Sequence, residues 1–238
     1  MFRIFSKKHS SEIPKSERIS GKELDRISSA AVMMRNSYIP LEKECAMVDP
    51  SHVSIIELIG DGPLLGTEYP SEDKTYRNSV SAKNIHNMRF DEDFIADITP
   101  DKRYYRLSGG KDLYLFRIDQ SDENMNLRVP KIETDPDARF SADTKYLKDL
   151  SDDSEYITFF FDSEGVSASP DDKDSRMCLS KGKYTDGRVM MPSDYICIIP
   201  KLTDNAEFSL NTDYPLRARW KGSNHEARMM IAPRIVCD

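Results

Sequence analysis

Short apolar runs with strand-like alternation recur about every ten residues along the chain, a spacing that selects antiparallel sheet and leaves room for few helices. In the first half they fall at residues 43–47, 53–59, 93–98, 103–107, 113–118 and 125–129, with a leading strand at 17–19. In the second half they fall at 156–161, 166–169, 176–180, 188–191, 207–211, 216–221 and 227–231. The strongest helical pattern covers residues 21–38: Leu24, Ile27, Ala31 and Met34 share one face, Ser20 stands where an N-cap belongs, and Lys22, Arg26 and Ser29 take the opposite face. Shorter helices are expected at 81–89, with Ile85 and Met88 inward and Lys83 outward, at 144–150, and at 193–199, where Pro200 should end the helix. Residues 133–138, with Asp135-Pro136-Asp137, read as an exposed connector. Each half therefore runs helix, strands, short helix, strands, an internal repeat of roughly 115 residues. The expected class is α+β, with two similar domains of antiparallel sheet and helices on one face: residues 1–132, of which 1–16 are an extension, and 139–238.

Composition narrows the chemistry. The 238 residues carry 41 acidic against 34 basic side chains, a formal charge of −7, so the molecule as a whole should be repelled by phosphate backbones. The longest apolar runs, such as Tyr195 to Ile199, are far shorter than the roughly 20 residues of a membrane span. The N-terminus turns polar after Phe5 and lacks the middle of a secretory signal, which leads to the expectation of an intracellular protein, cytoplasmic or nucleoid. Cys45, Cys178, Cys197 and Cys237 are widely spaced and read as four buried thiols rather than as metal ligands or a redox pair. No phosphate-cradling loop, nucleophile elbow or zinc-helix motif is present, and His9, His52, His86 and His225 are scattered. The acidic groups at 91–93 and 171–174 lack the spacing of a calcium loop and read as solvated turns. No catalytic residue, cofactor or metal is expected, and the chain is not read as an enzyme.

Two segments carry a resemblance. Ala46-Met47-Val48-Asp49-Pro50-Ser51-His52-Val53, followed by an apolar strand, is similar to the A-M-D-P-S-H-V segment of the sliding clamps known as proliferating cell nuclear antigen. Near the C-terminus, Asp213-Tyr214-Pro215-Leu216 and then Ile231-Ala232-Pro233-Arg234-Ile235 resemble that family's M-P-L strand start and terminal L-A-P-R-V. The resemblance implies a processivity factor in which three subunits close head to tail around duplex DNA, helices lining the hole and sheets forming the wall. A divergent clamp that stays monomeric and acts as a protein-interaction module is the alternative. The four expected helices, taken with Lys201, sum to +4, which leaves −11 for the rest of the chain. The acid should then cover the exterior while Lys22, Arg26, Lys83, Lys145 and Lys148 face DNA in a sequence-independent, salt-sensitive contact.

The resemblance also implies docking of DNA polymerase, clamp loader, nuclease and ligase through a short peptide with aliphatic and aromatic anchors. Carried over by motif, its pocket comprises Met47, His52, Val53, Ile55, Ile132, Pro215, Ala232, Pro233 and Ile235. Three departures stand out: Val48 is inserted and should bulge the strand, the first helix of the second domain is cut to roughly two turns, and that domain is shortened. The edge strands that close the ring are expected near residues 125–129 and 188–191, with Pro192 limiting the second.

Overall fold

The computed structural model describes residues 17–72, 75–88, 90–122, 129–132, 134–151, 154–171, 175–223 and 225–234. The first half runs β1 (Glu17–Ser20), α1 (Gly21–Met33), β2 (Tyr38–Pro40), β3 (Glu44–Val48), β4 (Ser54–Gly60), β5 (Tyr76–Ser81), α2 (Ala82–His86), β6 (Asp93–Ile98), β7 (Tyr104–Gly109) and β8 (Asp112–Asp122). The second runs β9 (Ala138–Asp143), α3 (Lys145–Ser151), β10 (Tyr156–Phe161), β11 (Gly165–Pro170), β12 (Met177–Lys181), β13 (Gly187–Pro192), α4 (Ser193–Ile196), α5 (Ile199–Leu202), β14 (Asn205–Leu210), β15 (Leu216–Lys221) and β16 (His225–Ile231). Each half is thus a strand, a helix, four strands, a short helical segment and three strands.

These strands form three antiparallel sheets, in the orders β1-β6-β7-β8-β5-β2, β12-β11-β10-β13 and β3-β4-β16-β15-β14-β9. The third sheet joins the halves: β4 pairs with β16 from Ser54↔Ile231 to Gly60↔His225. Every second residue of its strands turns to the core, and in β4 the intervening positions between Ser54 and Leu58 are buried as well. Cys45 and Met47, Ile56 and Leu58, Ala227 and Met229, Ala218 and Trp220, and Phe208 with Phe140 all turn to one core that runs without a break through both halves. Phe140 and Phe208 stack there with centroids 5.3 Å apart.

Helix α1 begins where Ser20 Oγ accepts the Glu23 N–H at 3.1 Å. Gly21 is required at this point, because a Cβ would collide with the backbone oxygen of Phe90. The helix stops at Met33, short of the expected residue 38. Arg35 turns left-handed (φ 56°), its N–H returning to Val32 and the Asn36 N–H to Ala31 at 2.8 Å, a Schellman closure made without glycine. Helix α3 is seven residues long, as the shortened second half implied.

Other expectations change. Pro200 does not end a helix; it sits in the first turn of α5, where its missing N–H costs nothing. Val48 causes no bulge: β3 and β4 stay in regular register from Glu44↔Ile59 to Val48↔Ile55, and the extra residue simply lengthens the strand. Of the four cysteines expected to be buried, Cys45 is, Cys178 is exposed, Cys197 is half-buried, and Cys237 lies outside the described residues. The edge strands also move. β13 is flanked by β10 and, at Met190 O, by the N–H of Arg234 at 2.9 Å, so it offers no open edge there. Residues 123–128 lie outside the described residues.

Candidate nucleic-acid interface and docking surface

The helices of both halves form one continuous layer, α1 packing against α2 and α5, and α5 against α3 and α4. Apolar positions of α1 face the sheets, with Leu24, Ile27 and Ala31 all within 1% of full burial. Lys22, Lys83, Lys145, Lys148 and Lys201 are exposed on this layer and Arg26 is half-buried. Ser29, expected on the outer face, is buried and lies 3.3 Å from His86 Nδ1 of α2. With the observed bounds, α1 is neutral, α2 carries one positive charge, α3 carries one, and α4 and α5 cancel, so the helices total +2 rather than +4. The difference is Arg35, which lies past the end of α1, and Arg89, which lies outside the described residues.

Three of the five expected DNA-facing cations meet at one place. Lys22 Nζ and Arg26 Nη2 reach the same Asp204 oxygen, at 3.2 and 2.9 Å, and Lys145 Nζ is 2.7 Å from Asp143. Hydrogen bonds from Lys22 and Arg26 hold the Asp204 carboxyl below its usual range. The Lys145 hydrogen bond does the same for Asp143, with the nearby Asp204 charge opposing it. Lys83 lies on α2, and Lys148 lies one turn after Lys145 on α3.

Behind α1 lies a buried glutamate–histidine pair that the sequence did not announce. Glu23 Oε1 is 2.6 Å from His225 Nδ1, the side chains 2% and 4% exposed, and Ser223 Oγ donates to Glu23 Oε2 at 3.4 Å. Burial alone would raise the Glu23 carboxyl. The hydrogen bond and charge of His225, helped by the Ser223 N–H and Arg26, outweigh it and hold the group below its ordinary value.

On the opposite face of the third sheet, Val48, Ile55 and Met230 are paired in one row across β3, β4 and β16. Val48 and Ile55 are each 8% exposed. The loop after β3 is built by Asp49, whose Oδ2 accepts the N–H groups of Ser51 at 2.9 Å and Val53 at 3.4 Å. Tyr195 of α4 hydrogen-bonds Asp49, and its hydroxyl is pushed up to about 12, by burial first and by that bond second. His52 is exposed with φ 56°, and the Ala232 N–H donates to Val53 O at 2.8 Å, bringing the C-terminal segment onto this loop. Val53, Ile132, Pro215, Ala232 and Pro233 are half-buried, and Ile235 lies outside the described residues. Met47 does not join them. It is fully buried on the other face, paired with Ile56, and strand parity gives its expected place to Val48. Counting outward from the buried Ile56 would have found Val48 in the sequence; nothing local would have found Asp204 or Met230.

No family model and no curated protein matches the sequence. Solved structures do match. The chain resembles the A. fulgidus PCNA solved with the C-terminal region of FEN-1 (TM-score 0.69, 18% identity, 94% of this chain and 99% of that one). It likewise resembles the Sulfolobus tokodaii PCNA2-PCNA3 complex (TM-score 0.65, 17% identity, 92% and 99%) and the Entamoeba histolytica PCNA (TM-score 0.68, 16% identity, 92% and 98%). Two like halves sharing a central sheet, with every described helix in one layer, are the fold of a sliding clamp. Within that class the fold is that of proliferating cell nuclear antigen, in a strongly diverged sequence.

Proposed function

We propose that the chain is a DNA sliding clamp: three copies close into a ring around duplex DNA, and the ring holds polymerase, clamp loader, nuclease and ligase by short peptides. The observation that carries this reading is the seam between the halves. β16 pairs with β15 on one side and β4 on the other. By the internal repeat, β8 corresponds to β16 and β12 to β4. Residues 112–117 of β8 have β7 along one edge, and β5 joins the other only from Ile118 onward. β12 ends its sheet among the described residues. A second copy can therefore lay its β12 against β8 as β4 lies against β16, and repetition of that joint makes a closed ring. Leu113 and Leu115, 61% and 54% exposed on β8, are covered by such a joint.

In the closed ring the helix layer faces inward. Lys83, Lys148, Lys145, Lys22 and Arg26 meet phosphates without reading bases, and the net negative charge of the chain lies on the sheets and loops outside. A clamp of this kind does no covalent chemistry and needs no cofactor. Peptide anchors bind over Val48, Ile55 and Met230, rimmed by His52, Val53, Ile132, Pro215, Ala232 and Pro233.

Light scattering coupled to size exclusion tests the ring: three copies of the 27.3 kDa chain are expected, and one copy after Leu113→Glu with Leu115→Glu. The wild type should stay on closed circular DNA and leave when that DNA is linearised. A single 27.3 kDa particle at micromolar concentration refutes the reading.

A further inference from the structure

We infer that Asp204 is a built-in stand-in for a DNA phosphate, which holds Lys22 and Arg26 in register and sets how tightly the clamp grips the duplex. This rests on the DNA-facing role proposed for the helix layer. One carboxylate oxygen takes both cations, Lys22 Nζ at 3.2 Å and Arg26 Nη2 at 2.9 Å, the arrangement a phosphate oxygen would occupy. The cations come from α1 in the first half and the acid from the α5–β14 turn in the second. The Asp204 side chain is 71% exposed, so an incoming phosphate can reach the pair from solvent.

Among the described residues, no hydrogen bond to that carboxylate comes from outside α1. Asp143, beside it, differs: its Oδ1 accepts the Lys145 N–H at 2.9 Å and so opens α3. The Asp204 turn is fixed by its backbone, through the Thr144 N–H to Asp204 O at 3.0 Å, while both described hydrogen bonds of its carboxylate come from α1. Helix α1 is itself pinned from its buried side by Glu23 with His225 and Ser223. The exchange of Asp204 for phosphate therefore moves two side chains and no backbone. Each contact with DNA is made at the expense of an internal one, and the freed carboxylate then repels the phosphate beside it. Grip is lowered and exchange from one phosphate to the next is eased, as sliding demands.

The test is binding of a short labelled duplex by the full chain, from about 50 to about 200 mM salt, for wild type, Asp204→Asn, Asp204→Ala and Lys22→Gln with Arg26→Gln. Both Asp204 variants should bind at least about threefold tighter at each salt concentration, with log K against log salt steeper by about 0.9 for each phosphate newly engaged. Adding Lys22→Gln and Arg26→Gln to Asp204→Asn should abolish the gain. The exposed pair adds little to stability, so the urea midpoints of the Asp204 variants should match wild type. Equal or weaker binding by both Asp204 variants, with weaker binding by Lys22→Gln and Arg26→Gln, overturns the inference and leaves the DNA reading standing. Salt-dependent binding absent from the wild type and from the Asp204 variants overturns the DNA reading, and the inference with it.

Discussion

Glu23→Gln removes one charge from a buried pair while keeping its shape, and the structure sets the cost. In the wild type, Glu23 Oε1 is 2.6 Å from His225 Nδ1, which donates to it when that nitrogen carries a proton. A glutamine oxygen can accept the same bond, and its amide can turn to Ser223 Oγ, now 3.4 Å from the carboxylate. What is lost is charge assistance: a hydrogen bond to a charged group contributes about 1.5–3 kcal/mol against about 0.5–1.5 for a neutral one, so about 1–2 kcal/mol should disappear. Glu23→Ala removes the buried carboxylate from beside His225 and should cost about 3–5 kcal/mol. Urea unfolding followed by tryptophan fluorescence reads both, since Trp220 is 6% exposed near His225 in the hairpin of β15 and β16. The pH dependence has a definite sign. The folded Glu23 carboxyl is held below its ordinary value of about 4.5, so the stabilisation is present above about 4.5 and is lost as pH falls through the lower, folded value. The gap between wild type and Glu23→Gln should narrow over that window. Equal stability of the two proteins at neutral pH, or a gap that stays constant as the medium is acidified, would refute the claim that charge holds α1 to β16.

Met47→Ala should cost about 2–5 kcal/mol of stability and leave peptide affinity unchanged in the folded protein, because Met47 is core. Val48→Ser should weaken an aliphatic and aromatic clamp-binding peptide measurably by calorimetry and should also lower the urea midpoint, because Val48 is only 8% exposed in the free chain. Lys83→Glu should make the salt dependence of duplex binding shallower by about 0.9, whereas Arg18→Glu, at an exposed position of strand β1, should leave the slope unaltered. In thiol labelling at mildly alkaline pH followed by peptide mapping, exposed Cys178 should react at once. Cys45, pushed up to about 12 by burial, should react only after unfolding, and early labelling of Cys45 would count against a closed core.

How much was legible follows from what each signal depends on. β6, β10 and β15 emerge at their observed bounds because large apolar side chains alternate or run together there. β9 alternates just as strictly in burial, yet two of its three inward positions are Ala138 and Ala142, so it carries almost no hydrophobic signal, and no strand is expected from the sequence between the connector's end at 138 and the next helix at 144. β2 and β5 fail for a similar reason, being three residues long in one case and Tyr-Arg-Asn-Ser-Val-Ser in the other. The end of α1 was invisible because Arg35 occupies the left-handed position usually marked by glycine.

The site divides along the same line between what periodicity encodes and what it does not. A helical wheel identifies the face of α1 that carries Lys22 and Arg26, but their partner Asp204 is 182 and 178 residues away. The same holds for Glu23 and Ser223, which are 200 residues apart. Periodicity states which way a side chain points; only topology states what it meets. The seam between β4 and β16 is the topological fact on which the rest turns. It brings His225 under α1 and Val53 beside Ala232, and, through the repeat, it makes residues 112–117 of β8 the unfilled counterpart of an edge already filled within the chain. The resemblance implies ring closure near residues 125–129 and 188–191, and at the second of these β10 and Arg234 already flank β13. The ring proposed from the seam closes at β12 and β8, so Leu113→Glu with Leu115→Glu is the oligomer-breaking substitution that tests it.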